Sequence, residues 1–233
     1  MNEGELLYFT QAELEIMLDL SVGAAHTLYR VGPPPDDDAL TAAFTSLYQR
    51  GFLTREGDTL SPAPKAGFFR RMGAAPFAVT LKTRYPRPAV VLLYGGGETL
   101  WLCEYVQTPL SERVRLRQLP AESLEAWLYD ADILEPPFLT REDARELSAL
   151  REKSDETGVG ADETGTESGA VRLRLEKYQN GGALLGVYEA LEGGFPLLRI
   201  REEGRQEITE LYTVEALRSM LERCFRKDCQ QEL

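Results

Sequence analysis

The side chains able to do covalent or acid–base chemistry are few in kind and scattered along this sequence. His26 is the only imidazole, and it follows Ala24-Ala25 near the end of an expected helix. A catalytic triad or a Cys–His pair would have to use it, yet no nucleophile elbow or other local signature stands beside it. It reads as a structural or surface histidine. Cys103, Cys224 and Cys229 have neither His partners nor a second Cys pair, so a zinc spacing is missing. Gly95-Gly96-Gly97-Glu98 lacks the Lys-Ser/Thr of a phosphate-binding loop and is not a G-x-G-x-x-G ahead of a helix. Placed between two expected strands, it reads as a hairpin turn that needs positive φ. Gly181-Gly182 and Gly193-Gly194 read the same way. Carboxylates are plentiful, but no pair has a spacing that singles it out. The residue chemistry therefore points to no enzyme, no metal and no cofactor.

Composition narrows the partners. Thirty-eight acids against 26 Lys and Arg give a formal net charge of −12. That field repels phosphates, which argues against nonspecific binding to nucleic acid or to an anionic membrane. Hydrophobic residues make up 43% of the 233, enough for a sizeable core. A mean hydropathy of −0.30, with no apolar run near the ~18 residues a span needs, excludes a transmembrane helix. The opening MNEGELLYFTQAELE carries acids where a signal peptide carries cations and an apolar stretch. Three thiols, an odd number with no disulfide framework, fit the same expectation of a reduced, cytoplasmic protein.

The elements that would position these residues follow from local patterns. Thr10-Gln11-Ala12-Glu13 has capping-box spacing, and Leu14, Met17 and Leu18 continue it as a helix that Gly23 ends. After the Pro33-Pro34-Pro35 break, Asp36 to Asp38 sit where a helix start favours negative charge. Leu40, Phe44, Leu47 and Tyr48 form the stripe of that second helix, with Gly51 as its C-cap. Arg55 to Leu60 is a short hairpin turning at Gly57, and Pro64 to Met72 is a further helix. From Phe77 the apolar period becomes two. Strands are expected over Phe77–Tyr85, Ala89–Tyr94, Thr99–Val106 and Arg113–Leu119, followed by a helix over Glu122–Tyr129 and another from Thr140 to about Lys153. Residues 154–169 carry five acids and no base, with Val159 the only large apolar group. Such a stretch cannot offset its ordering entropy and is expected to be a disordered linker. Beyond it, strands are expected over Val171–Tyr178, Ala183–Leu191, Phe195–Glu202 and Glu207–Tyr212, then a helix over Val214–Phe225 capped by Thr213.

The second half looks like the first. Val90–Tyr94, GGG and Leu100–Tyr105 match Leu173–Tyr178, QNGG and Leu184–Tyr188, a weak repeat of about one and a half copies. The expected fold is α+β. Its antiparallel sheet is built from two quasi-repeated strand blocks, with a winged-helix-like helical module and flanking helices. The divisions fall at 1–76 for the helical module, 77–153 for the first block, 154–169 for the linker and 170–233 for the second block. Whether the blocks pair within one chain or across a homodimer is left open by the pattern.

Helix, helix, small hairpin is the outline of a winged helix, so a transcriptional regulator is one reading. Its reading helix would begin with Asp36 to Asp38 and end at Arg50, whereas groove readers carry basic and amide side chains in their first turns. Lys65, Arg70 and Arg71 make one small basic cluster on the next helix. The other reading comes from the order of features. Leu40, Phe44, Leu47, Tyr48, Arg50, Gly51, Phe52 and Leu53 spell L-x3-F-x2-L-Y-x-R-G-F-L, and a hairpin, a Pro-initiated helix and Ala74-Ala75-Pro76 follow. Strands, a helix, an insertion and a second strand set ending in a helix complete the order. This resembles the EspG family of type VII (ESX) secretion-associated chaperones. The resemblance implies a central antiparallel sheet with quasi-twofold related halves and flanking helical bundles. It also implies a cytosolic, non-enzymatic role in holding a helical secreted protein partner soluble, as the family holds PE–PPE pairs. The partner-contact region it implies is the first half-sheet around Gly95, Gly96, Gly97, Glu98 and Trp101. In Leu100, Leu102, Glu104 against Trp101, Cys103, Tyr105, apolar groups fall on both sides of one strand, so both its faces should be covered. Either both covers come from within the chain or a protein partner supplies one; the partner is expected, with Trp101 at its centre.

Overall fold

Caps and hydrophobic periods that can be read locally become elements in the places they indicate. The structure, a computed structural model, describes residues 6–22, 34–83, 90–95, 97–108, 111–137, 139–140, 142–143, 145–146, 170–179, 182–192 and 196–225. His26, Gly96, Cys229, the linker at 154–169 and the helix expected beyond 146 lie outside the described residues. The chain opens with strand β1 (Leu7–Phe9) and helix α1 (Gln11–Val22). Thr10 and Glu13 form the expected box. The Glu13 amide donates to Thr10 Oγ1 at 3.1 Å, and the Thr10 amide donates to Glu13 Oε2 at 2.8 Å. Helix α2 (Asp37–Gln49) is capped by Asp36, whose carboxylate accepts from the Ala39 amide at 2.8 Å. Gly51 follows at φ +68°, the left-handed conformation that a C-terminal glycine supplies. Strands β2 (Leu53–Glu56) and β3 (Thr59–Pro62) make the small hairpin, and a 3-10 turn at Pro64–Ala66 leads into α3 (Gly67–Gly73).

Four strands follow in a meander: β4 (Phe77–Thr83), β5 (Val90–Gly95), β6 (Thr99–Thr108) and β7 (Ser111–Pro120). A 3-10 turn at Ala121–Ser123 opens helix α4 (Leu124–Asp130). The plan then repeats as β8 (Ala170–Gln179), β9 (Leu184–Glu192), β10 (Leu197–Glu202), β11 (Ile208–Leu211) and α5 (Val214–Phe225). The Ala216 amide donates to Thr213 Oγ1 at 3.1 Å, which is the expected cap of α5.

Among the described residues the strands form a nine-stranded antiparallel sheet in the order β1-β7-β6-β5-β4-β8-β9-β10-β11, with β2-β3 a separate pair. The fold is thus α+β, and its two blocks pair within one chain. They meet at a seam where β4 lies antiparallel to β8, from Phe77 opposite Gln179 to Thr83 opposite Leu173. Each block runs outward from this seam and ends in a helix. The seam relates β4 to β8, β5 to β9, β6 to β10, β7 to β11 and α4 to α5, two copies of a four-strand-and-helix unit, with the N-terminal helical module present ahead of the first alone among the described residues. The sequence reading, which set β5–β6 beside β8–β9, is corrected by one strand. Successive hairpins of a meander share one local pattern, so likeness alone cannot fix which strand answers which.

Two cores lie on the two faces. On the front, Val79, Leu81, Leu93, Leu100 and Leu102 of the first block and Leu173, Leu175, Leu198 and Ile200 of the second pack under α4 and α5. On the back, Ala78, Tyr94, Cys103, Val114 and Leu116 pack against α1, α2, α3 and Phe9 of β1. The N-terminal module is therefore laid on the back of the first block. Strand β1, which the sequence reading did not anticipate, anchors the module by pairing Leu7 with Leu116 and Phe9 with Val114 at the sheet edge. Glu13 adds a second tie, because its carboxylate also accepts from Ser46 Oγ at 2.5 Å and from Arg50 at 3.0 Å.

Candidate partner-binding site

The residues singled out for partner contact lie on the β5–β6 hairpin, but they do not share one surface. Gly95 ends β5 on the front face, opposite Phe77. A Cβ there would stand 2.8 Å from Phe77 Cε2 and 3.3 Å from Leu100 Cδ2, so the position requires glycine for close approach. Its φ is not positive, which corrects the turn reading at this residue; Gly182 does carry the expected positive φ, at +100°. Gly97 and Glu98 are exposed at the tip, and Gly96 is outside the described residues. The Glu98 carbonyl accepts from the Ala121 amide at 2.8 Å, which ties the hairpin to the turn that opens α4.

Trp101 faces the back, paired across the hairpin with Tyr94. It is half-buried against the back cluster beside Cys103, and its indole N–H is enclosed with no acceptor among the described residues. The cover of β6 comes from inside the chain on both faces: α4 and α5 lie over Leu100 and Leu102, and the N-terminal module lies over Cys103. Of the two alternatives for β6, this is the internal one, and the expectation that a partner supplies one cover is corrected on this point. The thiols of Cys103 and Cys224 are fully enclosed, and burial pushes both well above the usual thiol range. Neither can act as a thiolate at neutral pH.

Next to the hairpin, on the front face, α4 and α5 leave a cleft between them. One wall is Ala121, Glu122, Leu124 and Glu125; the other is Arg218, Leu221, Glu222 and Phe225. Arg218 Nε donates to Glu125 Oε2 at 2.7 Å and bridges the two helices. Phe225 lies 6.2 Å from Phe77, centroid to centroid, so the cleft and the Gly95 contact share one aromatic floor. The sequence reading placed both helices but missed the cleft. Its one local signal was the spacing of 218, 221, 222 and 225 on a single face of α5.

The back of the second block has a different character. Glu189, 2% exposed, takes Arg201 at 2.8 Å, Arg174 at 3.0 Å and Arg199 at 3.8 Å. Glu176 takes Arg174 at 2.7 Å, Lys82 at 2.8 Å and the Tyr178 hydroxyl at 2.8 Å. Partial burial opposes its ionisation, but the bonds from Lys82, Tyr178 and Arg174 prevail and bring its pKa down to about 2. Among the described residues no group of three or more His, Cys, Asp or Glu is placed to hold a metal ion, and no helix is long and apolar enough to cross a membrane. No protein-family model matches the chain, and no curated protein matches it.

Proposed function

We propose that this chain is a non-catalytic protein-binding chaperone or adaptor, acting in the cytoplasm on a helical, aggregation-prone partner in the manner of the EspG-like secretion chaperones it resembles. The observation that carries the reading is the β4/β8 seam. It joins two related halves into one antiparallel sheet with flanking helices, the arrangement that the resemblance implies. Of the residues expected at the contact, Gly97 and Glu98 are exposed at the hairpin tip. Affinity capture of the tagged chain from its native cell, followed by mass spectrometry, tests it. The expected result is one small helical protein in near-stoichiometric amount that is insoluble alone and soluble when co-expressed. Failure to retain any such protein overturns the reading.

The regulator reading has one feature in its favour, the α1, α2, β2–β3 outline. Against it, α2 begins with exposed Asp37 and Asp38. Lys65, the first residue of the basic cluster, is engaged with the Arg50 carbonyl and sits 4.3 Å over the Phe52 ring. No binding to random duplex is expected at low salt, where the attraction of cations to phosphates is strongest. Micromolar binding that weakens steeply with salt would favour the regulator instead.

A further inference from the structure

We infer that the cleft between α4 and α5 is a docking groove for a short cationic amphipathic segment of a protein partner. The inference rests on the protein-binding reading and adds where the partner sits and what chemistry it presents. Helix α5 divides its inward side in two. Leu217, Met220 and Cys224 are sealed into the front core, whereas Arg218, Leu221, Glu222 and Phe225 form an adjacent stripe that lines the cleft toward α4; Leu221 belongs to the core as well, and Arg218 reaches across to Glu125. That stripe spans seven residue steps, about 10 Å, or two helical turns. The bottom of the groove is apolar: Leu124, Leu221 and Phe225. Its rim is acidic. Glu125 is matched by Arg218, but among the described residues neither Glu122 on one wall nor Glu222 on the other has an ion-pair partner.

An occupant complementary to this shape sets apolar side chains at i and i+3 or i+4 into the bottom and places Lys or Arg on both flanks, opposite Glu122 and Glu222. A uniformly polar cation satisfies the rim and leaves the bottom unfilled. An acidic amphipathic helix fills the bottom and is refused at the rim. The net charge of −12 adds long-range attraction for a cationic segment.

The test uses the full chain and three synthetic peptides of about 15 residues: an amphipathic Leu/Lys helix, the same pattern with Glu in place of Lys, and a scrambled Leu/Lys sequence with no apolar face. Titration calorimetry should show binding of the first peptide, with at least tenfold weaker binding of the other two. The double variant Glu122→Lys/Glu222→Lys should bind the first peptide at least tenfold more weakly, with circular dichroism unchanged. If that variant folds poorly, Glu122→Gln/Glu222→Gln serves in its place. Equal affinity for the scrambled peptide, or an unaltered affinity in the variants, overturns the groove in favour of diffuse charge attraction. Absence of binding by the first peptide overturns it outright. The same variant separates the two levels of the argument. If it captures the cellular partner at the wild-type yield, the groove fails and the chaperone reading stands.

Discussion

Gly95 and Trp101 sit in one hairpin, and each makes its own demand on substitution. Gly95 has no room for a side chain: a Cβ would meet the Phe77 ring at 2.8 Å. That ring cannot easily yield, because it packs 6.2 Å from Phe225 and carries the buried Lys177 ammonium 4.6 Å from its centroid. Gly95→Ala should therefore cost about 1–3 kcal/mol in urea unfolding, the usual range for overpacking. A neutral result would show that Phe77 relaxes. At Trp101 the enclosed indole N–H, without an acceptor among the described residues, is a standing cost. Trp101→Phe removes that donor and keeps an aromatic ring in the back cluster. Its stability should equal that of the wild type or exceed it by up to about 1 kcal/mol, since burying an unsatisfied donor costs about 1–3 kcal/mol and the smaller ring gives back part of the gain. A clear loss of stability would mean that the N–H finds an acceptor. Both positions could be picked out from the sequence, but their surroundings could not. The glycine run suggested a turn conformation, and the reason for Gly95 is a ring from the neighbouring strand.

At the level of elements, the back of the second block is held by a lattice of charges across β4, β8, β9, β10 and the approach to β11. Glu176 is the member with a depressed pKa, about 2 against 4.5 for a free Glu. A folded-state value below the unfolded one stabilises the fold at pH above about 4.5, and that contribution disappears as pH falls toward about 2. The melting-temperature difference between wild type and Glu176→Gln should accordingly be constant above pH 4.5 and shrink on further acidification. A difference independent of pH over that range would remove Glu176 from the account. Glu189 is buried more deeply, under three arginines that are each partly exposed. Glu189→Ala leaves these cations facing one another and should cost about 1–3 kcal/mol, between an exposed pair and a fully buried one. The strands that carry this lattice were legible, because Arg174, Glu176, Glu189, Arg199 and Arg201 alternate with apolar residues. Apart from Arg174–Glu176 within β8, the ion pairs were not, since they join residues on different strands whose order the alternation does not specify.

For the molecule as a whole, the seam makes the two blocks one folding unit. A protease site engineered between residues 154 and 169 and then cut should leave two pieces that co-elute in gel filtration, because the β4–β8 ladder and the shared front core join them. Separation of the pieces without denaturant would contradict that. The sequence alone determined the α+β class, the eight strands of the two blocks, the place of α2, the boundaries of α5, and the caps at Thr10 and Thr213. All of these depend on neighbours within a few residues, where a period of two, a period near 3.6 or a hydroxyl at a helix start acts directly. Only the tertiary structure decided that β4 meets β8, that β1 joins the edge at β7, and that the N-terminal module covers the back of the first block. It also decided that Glu13 serves Arg50 as well as its own helix, and that α4 and α5 stand apart to leave a cleft. Alternation tells a strand which of its sides is apolar, but the strand it pairs with and the helix that covers it are chosen by contacts far apart in the chain, which no local pattern encodes.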